Sequence, residues 1–349
     1  MPHFTAEVLT DFSIALLTAG GATAPEASIV GASLIDANIK GYDSHGLMRI
    51  PFYLDMLKAG DIVSGAELTT INETPTLLAA DANWGFGRVQ CGSLANALLD
   101  KADESGVAIG TLRQSSHIGR LGEYCEIAAA RNLVSIMMVN THGAARRVAP
   151  PGGRAPRLGT NPIAMGVPSG DSPLVLDFST SVTAEGKVRV KSIAGEICPQ
   201  GWLLDSDGNP TTDPNDLYTD PPGSILPMGG PQAYKGFGLS LMIDLFSGAL
   251  SGGLCARETP ITPKGNCVFM MAVNPAFLGG TEAFEREVSQ LVDFVRNTPT
   301  APGVEEIMLP GDPERKTVAR NQQEGLAVDE ENWSKLLELA ATLGIDSPG

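Results

Sequence analysis

The middle of this chain carries its apolar side chains in short runs, at residues 107–112, 134–139, 163–167 and 174–178. Each run is bounded by Gly, Pro, Asn or Ser. That is the length and punctuation of buried strands, and it is too short for a membrane span. Amphipathic stretches at 90–102 and 121–131 separate some of the runs. Strands interleaved with helices bury their apolar faces only by stacking as layers, so the expected class is α/β with a mixed sheet.

Helical signals crowd both ends. A stretch at about 6–17 puts Val8, Leu9, Phe12 and Leu16 on one face and stops at Gly20 and Gly21. Pro25 suits a first helical turn, the pattern runs over 26–40, and Gly41 suits the stop. A third helix is predicted over 47–58, ending at Gly60. Beyond the middle, helices are expected at about 235–250, 281–296 and 330–343, with a strand at 268–273. The proline-rich stretch 198–231 contains Asp205-Ser206-Asp207-Gly208-Asn209-Pro210, a turn by composition. The longest apolar stretch, 237–254, is broken by Asp244, serines and glycines, and reads as a buried helix. Two units are therefore expected: a helical one from 1–75 with 280–349, and an α/β one from 76–279.

Composition narrows the function classes. The 349 residues include 24 Lys and Arg against 40 Asp and Glu, a net charge of −16. Nucleic-acid binding and docking on anionic lipid both need a basic surface, so neither partner is expected. The 40 glycines and 25 prolines imply many turns and loops, where small-molecule sites form on a rigid core. No basic segment followed by an apolar core opens the chain, and the five cysteines are scattered without a C-x-x-C pair. The expectation is a cytoplasmic protein with no disulfide framework and no metal site.

Only four histidines are available for proton transfer near neutral pH: His3, His45, His117 and His142. His45 follows Asp43 and Ser44, and Arg49 comes four residues later, so an acid and a carboxylate-binding guanidinium have the spacing to share a cleft. A helix cap with a surface histidine accounts for the same pattern. His117 stands in Ser115-Ser116-His117-Ile118-Gly119-Arg120-Leu121-Gly122, between a strand and a helix, where backbone amides attract phosphates or carboxylates. An ordinary strand-to-helix turn is the plainer explanation. The run Asp177-Phe178-Ser179-Thr180-Ser181 ends a strand with one acid and three hydroxyls. No G-x-G-x-x-G, P-loop, H-E-x-x-H or G-x-S-x-G occurs. A Rossmann fingerprint is absent, and a Ser–His hydrolase built on Ser44 lacks its nucleophile elbow.

Six segments in order resemble one family, the malate/L-lactate dehydrogenase-type oxidoreductases unrelated to the Rossmann enzymes of those names. They are Asp43-Ser44-His45-Gly46 with Arg49-Ile50-Pro51, Ser116-His117-Ile118-Gly119-Arg120, Leu158-Gly159-Thr160-Asn161-Pro162, Leu176-Asp177-Phe178-Ser179-Thr180-Ser181, Tyr234-Lys235-Gly236-Phe237-Gly238-Leu239 and Leu309-Pro310-Gly311-Asp312-Pro313-Glu314. Gly186-Lys187-Val188-Arg189-Val190 and Gly208-Asn209-Pro210-Thr211-Thr212-Asp213-Pro214 resemble the hydroxycarboxylate dehydrogenase B type in particular.

The resemblance implies a non-Rossmann nucleotide-binding fold, usually as a homodimer, that reduces a 2-oxo acid reversibly with NAD or NADP. It places cofactor and substrate in the 76–279 unit. His45 matches the proton donor, supported by Ser44, while Arg49 and Thr160 match substrate contacts. His117, Ile118, Gly119, Arg120, Leu121, Asn140, Asp177, Phe178, Ser179, Lys235, Gly311, Asp312 and Pro313 match cofactor positions. His117 is an acid in some members, so the proton donor stays open between the two histidines. Reduction of a cyclic imine acid on the same fold is the runner-up, followed by a ureidoglycolate- or diketogulonate-type dehydrogenase. Tyr234, Asp312 and Ser116 depart from common family residues. Arg49 departs from the hydroxycarboxylate type, which bears on the identity of the substrate.

Overall fold

A computed structural model describes residues 1–348. After a two-residue strand β1 (His3–Phe4), α1 (Ala6–Ala19) starts behind Thr5, whose hydroxyl accepts from the Val8 N–H. α2 (Ala24–Ile39) starts behind Thr23 in a reciprocal cap with Glu26. α3 (Ile50–Ala59) begins three residues later than the apolar pattern predicts. Pro51 is the reason: in a helix begun at Leu47 its ring would strike the Leu47 carbonyl. It sits in the first turn instead, and Leu47–Arg49 forms a separate 3-10 turn.

The strands that follow are β2 (Thr69–Glu73), β3 (Leu77–Asp81), β4 (Val107–Ser115), β5 (Val134–Asn140), β6 (Ile163–Val167), β7 (Leu174–Phe178), β8 (Leu203–Leu204), β9 (Pro210–Thr211), β10 (Ser224–Ile225), β11 (Asn266–Val273) and β12 (Leu326–Ala327). The main sheet runs β2-β3-β4-β11-β5-β6-β7. Only β3 and β4 pair in parallel; the other neighbours are antiparallel, so the sheet is mixed. β10, β8 and β9 make a small separate sheet, and β1 pairs with β12.

The intervening helices are α4 (Gly87–Ser105), α5 (Leu121–Ala130), α6 (Glu185–Ala194), α7 (Tyr234–Asp244), α8 (Thr281–Arg296), α9 (Asp312–Glu324) and α10 (Glu330–Leu343). α4 and α5 cover the main sheet. Leu94, Leu98, Tyr124, Cys125 and Ala128 form one core with Met137 and Met270. The approach is close: a methyl group on Gly110 of β4 would meet Leu98 at 2.7 Å. A second core joins α1, α2 and α3 to Leu326 and, on α10, Leu336 and Ala340, and it takes in Phe86 at the foot of α4. A third, small cluster of Val148, Val188, Leu203, Leu217 and Ile225 seats α6. α8 contributes no buried residue, and α7 runs into a wider turn at Leu245–Ala249. Among the described residues no helix is long and apolar enough to cross a membrane.

Candidate active site

The turn between α2 and α3 is pinned from below. Asn38 at the end of α2 donates to Asp43 at 2.7 Å and accepts from the Leu47 N–H at 2.8 Å. Gly46 lies directly over that amide, where a Cβ would fall 2.0 Å from the Asn38 oxygen, so only glycine fits. Held this way, Ser44 Oγ and His45 Nδ1 share a hydrogen bond of 3.0 Å. Arg49 reaches back from the next turn, its Nε donating to the Ser44 carbonyl at 2.6 Å.

β4 delivers the second histidine from its C-terminal end. The His45 and His117 rings lie stacked, with centroids 5.5 Å apart and planes at 30°. His117 Nδ1 is engaged by the Tyr53 hydroxyl at 2.8 Å. Arg88, buried at the start of α4, donates to that hydroxyl at 3.3 Å, to Ser33 Oγ and to the His45 carbonyl. Glu123 stands 3.8 Å from Arg88 and accepts from Ser33. Gly119 lets the chain pass over Arg88, since a Cβ there would meet its guanidinium at 2.6 Å.

Dehydration and these cations set the protonation. Burial, then Arg49, Arg88 and Arg120, push His45 down to about 3. Burial, then Arg49, His45 and Arg88, hold His117 well below its ordinary range. Both imidazoles are therefore neutral at neutral pH, each with Nδ1 engaged and Nε2 left over.

Tyr42, whose ring centroid lies 6.5 Å from that of His45, also walls a cavity of about 190 Å³. Its walls include Lys40, Tyr42, Arg120, Asp177, Gly311 and Glu314. Arg120 is buried, pairs with Glu126 at 2.7 Å and Asp36 at 3.3 Å, and lies over the Tyr42 ring. Its Nε has no partner. Asp177, at the end of β7, accepts from the Gly122 N–H at 2.7 Å. Burial outweighs that bond and the pull of Arg120, raising the Asp177 carboxyl to about 6. Ile118 and Leu121 are buried beside this wall, and the Ile118 N–H donates to Asn266.

The end of β7 links this group to a second one. Thr180 donates twice to the Thr160 carbonyl, Asn161 donates to the Ser240 carbonyl, and Ser179 Oγ meets Ser181 Oγ at 3.1 Å. Met228 ties Thr180 to the start of α7, where Lys235 is exposed above the Tyr234 ring. Phe178 stays half-buried at the join. Asn140 faces inward, its amide nitrogen donating to Asp244 and the Leu254 carbonyl and its oxygen accepting from His142 N–H. Gly311, at φ +92°, turns the chain into α9. There Asp312 pairs with Arg296 and Arg315, and Pro313 occupies the first turn. Among the described residues no three His, Cys, Asp or Glu side chains gather as a metal site.

The model for the malate/L-lactate dehydrogenase family matches residues 4–337. The chain belongs to that family. An L-lactate dehydrogenase of Cupriavidus necator is 35% identical over 339 residues, covering 95% of each chain. Hydroxycarboxylate dehydrogenase B of Escherichia coli is 33% identical over 348 residues, covering 98% of this chain and 95% of its own. A solved Escherichia coli structure, described as a candidate malate/lactate dehydrogenase, superposes with a TM-score of 0.92 at 33% identity over 99% of this chain and 97% of that one. Tyr53, Arg88 and Tyr42 are site residues that the sequence motifs leave out. Of these, Arg88 carried a signal, as a lone charge opening an otherwise apolar helix face.

Proposed function

We propose that this member of the malate/L-lactate dehydrogenase family is an NAD(P)H-dependent reductase of 2-oxo acids, acting reversibly, with His45 as proton donor. The observation that carries the reading is the gathering of a stacked histidine pair with Arg49 in one buried cluster, to which Tyr42 joins a cavity walled by Arg120, Asp177 and Gly311. When bound, NAD(P)H supplies the hydride.

That cofactor has support in the cavity itself. The unpartnered, buried Arg120 Nε is a donor without an acceptor, as an anionic or polar ligand group would require. A Cβ at Gly311 would crowd Arg315 and the Pro173 carbonyl, so the glycine keeps that wall open. At about 190 Å³ the cavity falls short of the roughly 300–1,000 Å³ usual for a whole ligand. Ser179 and Lys235 would hold the remainder of a dinucleotide. A homodimer fits the exposed apolar row Leu241, Met242, Leu245, Phe246 and Leu250 that continues α7. All five cysteines are free thiols, which suits a reducing cytoplasm.

In the mechanism, Arg49 holds the substrate carboxylate in a two-pronged pair and Thr160 steadies the other edge. The carboxylate neutralises one of the cations that act with burial to keep His45 deprotonated, which shifts the imidazole toward its protonated form as the substrate arrives. With Nδ1 engaged by Ser44, Nε2 delivers that proton to the developing alkoxide. Tyr53 fixes His117 beside it. A substrate panel of 2-oxo acids and a cyclic imine acid, with NADH and NADPH followed by nicotinamide absorbance, tests the reading. Turnover of an oxo acid supports it. Turnover of the cyclic imine alone replaces it with the imine reductase, and no turnover at all removes it.

A further inference from the structure

α9 has little apolar surface to hold it in place, and Asp312 is its one buried residue. A polar face holds it instead. Glu314, Thr317 and Asn321 follow one another at i, i+3 and i+7, and all three are half-buried against the end of α2 and the turn after it. Asn321 donates to the Ile39 carbonyl at 2.9 Å and to the Asn38 carbonyl at 3.4 Å, two groups left open where α2 ends. Thr317 covers Gly41, where a Cβ would stand 3.1 Å from its methyl carbon. Glu314 accepts a hydrogen bond of 2.6 Å from the Tyr42 hydroxyl.

Tyr42 is the member of this set that reaches the acid. Its carbonyl accepts from the His45 N–H at 2.8 Å, and its ring lies edge-on to the imidazole, with centroids 6.5 Å apart and planes at 80°. Arg120 covers the ring, 5.4 Å from its centroid. Burial, then the bond to Glu314, raise the phenol above its ordinary range, so the hydroxyl keeps its proton and donates. Among the described residues Glu314 is the one hydrogen-bond partner of that hydroxyl. Asn38 already grips the turn through Asp43 and the Leu47 N–H, and Tyr42 adds a hold that comes from α9. Tyr42 and Glu314 also wall the cavity, so their bond stands between that space and His45.

We infer that Tyr42 is a positioning residue for the His45 acid, and that its hydrogen bond to Glu314 fixes the acid-bearing turn against the start of α9. The inference rests on the 2-oxo acid reductase reading with His45 as proton donor, and adds to it the pair that sets where the donor stands. Neither Tyr42 nor Glu314 transfers a proton to the substrate.

The test compares the full-length protein with Tyr42→Phe, Glu314→Ala, Glu314→Gln and the double variant Tyr42→Phe/Glu314→Ala. Phenylalanine keeps the ring and loses the donor, whereas glutamine loses the charge and keeps an acceptor oxygen. A misplacement of about 1 Å can cost about 100-fold in rate, so kcat for an oxo acid is expected to fall about 10- to 100-fold in Tyr42→Phe and in Glu314→Ala. The double variant should be no slower than either, because one contact is lost in all three, and Glu314→Gln should stay near wild type. The His45 imidazole proton signal, identified by its absence in His45→Ala, supplies a second readout with no cofactor added. It should shift in Tyr42→Phe and in Glu314→Ala and hold its place in Glu314→Gln, which separates the hydrogen bond from the charge. If the bond serves stability alone, urea midpoints fall while kcat of the folded variants and the His45 signal match wild type, and the inference is overturned with the reductase reading intact. Losses that multiply in the double variant overturn it as well, since the two residues would then act separately. If wild type reduces no oxo acid with either cofactor, the reductase reading fails and takes the inference with it.

Discussion

The imidazoles of His45 and His117 are stacked 5.5 Å apart, with Nδ1 of one on Ser44 and Nδ1 of the other on Tyr53. Each depresses proton binding by the other, so the pair carries at most one proton across the useful pH range. Substitutions can separate their roles. His45→Ala is expected to lower kcat by roughly 10²–10⁴, the usual span for general acid catalysis, while NAD(P)H affinity stays near wild type. His117→Ala should instead weaken cofactor binding. Steady-state kinetics with cofactor titration decide between them. A His45→Ala protein within about threefold of wild-type kcat would move the proton donor to His117.

Arg49 is expected to act through orientation. Arg49→Ala should raise KM for the oxo acid strongly and lower kcat through misplacement of the carbonyl. Arg49→Lys should recover little, because an ammonium cannot reproduce the planar fork or reach the Ser44 carbonyl in the same pose. Recovery of wild-type KM by lysine would show that charge alone suffices.

Stability should fall with acid in a window set by the histidines. An unfolded histidine titrates near 6.5, whereas His45 is held at about 3 in the fold. Below pH 6.5 the unfolded chain therefore binds a proton that the folded chain does not, and stability falls from there toward pH 3. The slope is about 1.4 kcal/mol per pH unit for each such group, and His117 acts in the same direction. Asp177, raised to about 6, works the other way: the folded state gains its proton first, offsetting part of the loss between about pH 6 and 4. Urea unfolding at a series of pH values should show a shallower acid dependence in His45→Gln. An identical dependence in that variant would rule out His45 as a source.

Much of this was legible in the sequence, for physical reasons. The strands Ile163–Val167 and Leu174–Phe178 and the helices Thr281–Arg296 and Glu330–Leu343 match the expected bounds, because their patterns and breakers are local. α9 was not visible: its sequence, DPERKTVARNQQE, has almost no apolar stripe, and its start is fixed by Asp312 pairing with Arg296 and Arg315. β2 escaped because all five of its residues are exposed and carry no inward face. In the site, the motif carrying Ser44, His45 and Arg49 was readable as a string. The partners that set its charge, Tyr53 and Arg88, come from other helices and meet it only in three dimensions.

Lys235→Ala is expected to weaken NAD(P)H binding more than it changes turnover at saturating cofactor. Lys235 opens α7 and is exposed, with no acidic partner among the described residues, so its ammonium is available to a phosphate or amide. Unchanged NAD(P)H affinity by fluorescence titration would return Lys235 to the solvated surface.

Arg88 joins the fold to the chemistry, and its loss should be felt in both. It is buried, and its donors serve the His45 carbonyl, the Tyr53 hydroxyl and Ser33, with Glu123 as counter-charge. Arg88→Met fills similar space but strands Glu123 and leaves those acceptors unpaired, a change expected to cost about 3–5 kcal/mol. Arg88→Lys should rescue little, since one ammonium cannot span three separated acceptors. The same deletion removes a cation that holds both imidazoles down, so the histidine titrations should move toward their ordinary value. Urea midpoints at constant m-value measure the first effect, and imidazole proton shifts across a pH titration measure the second. A stable Arg88→Met protein with raised histidine titration would mean that Arg88 serves the site electrostatically and the packing tolerates its absence. An unstable protein with unmoved histidines would mean the reverse.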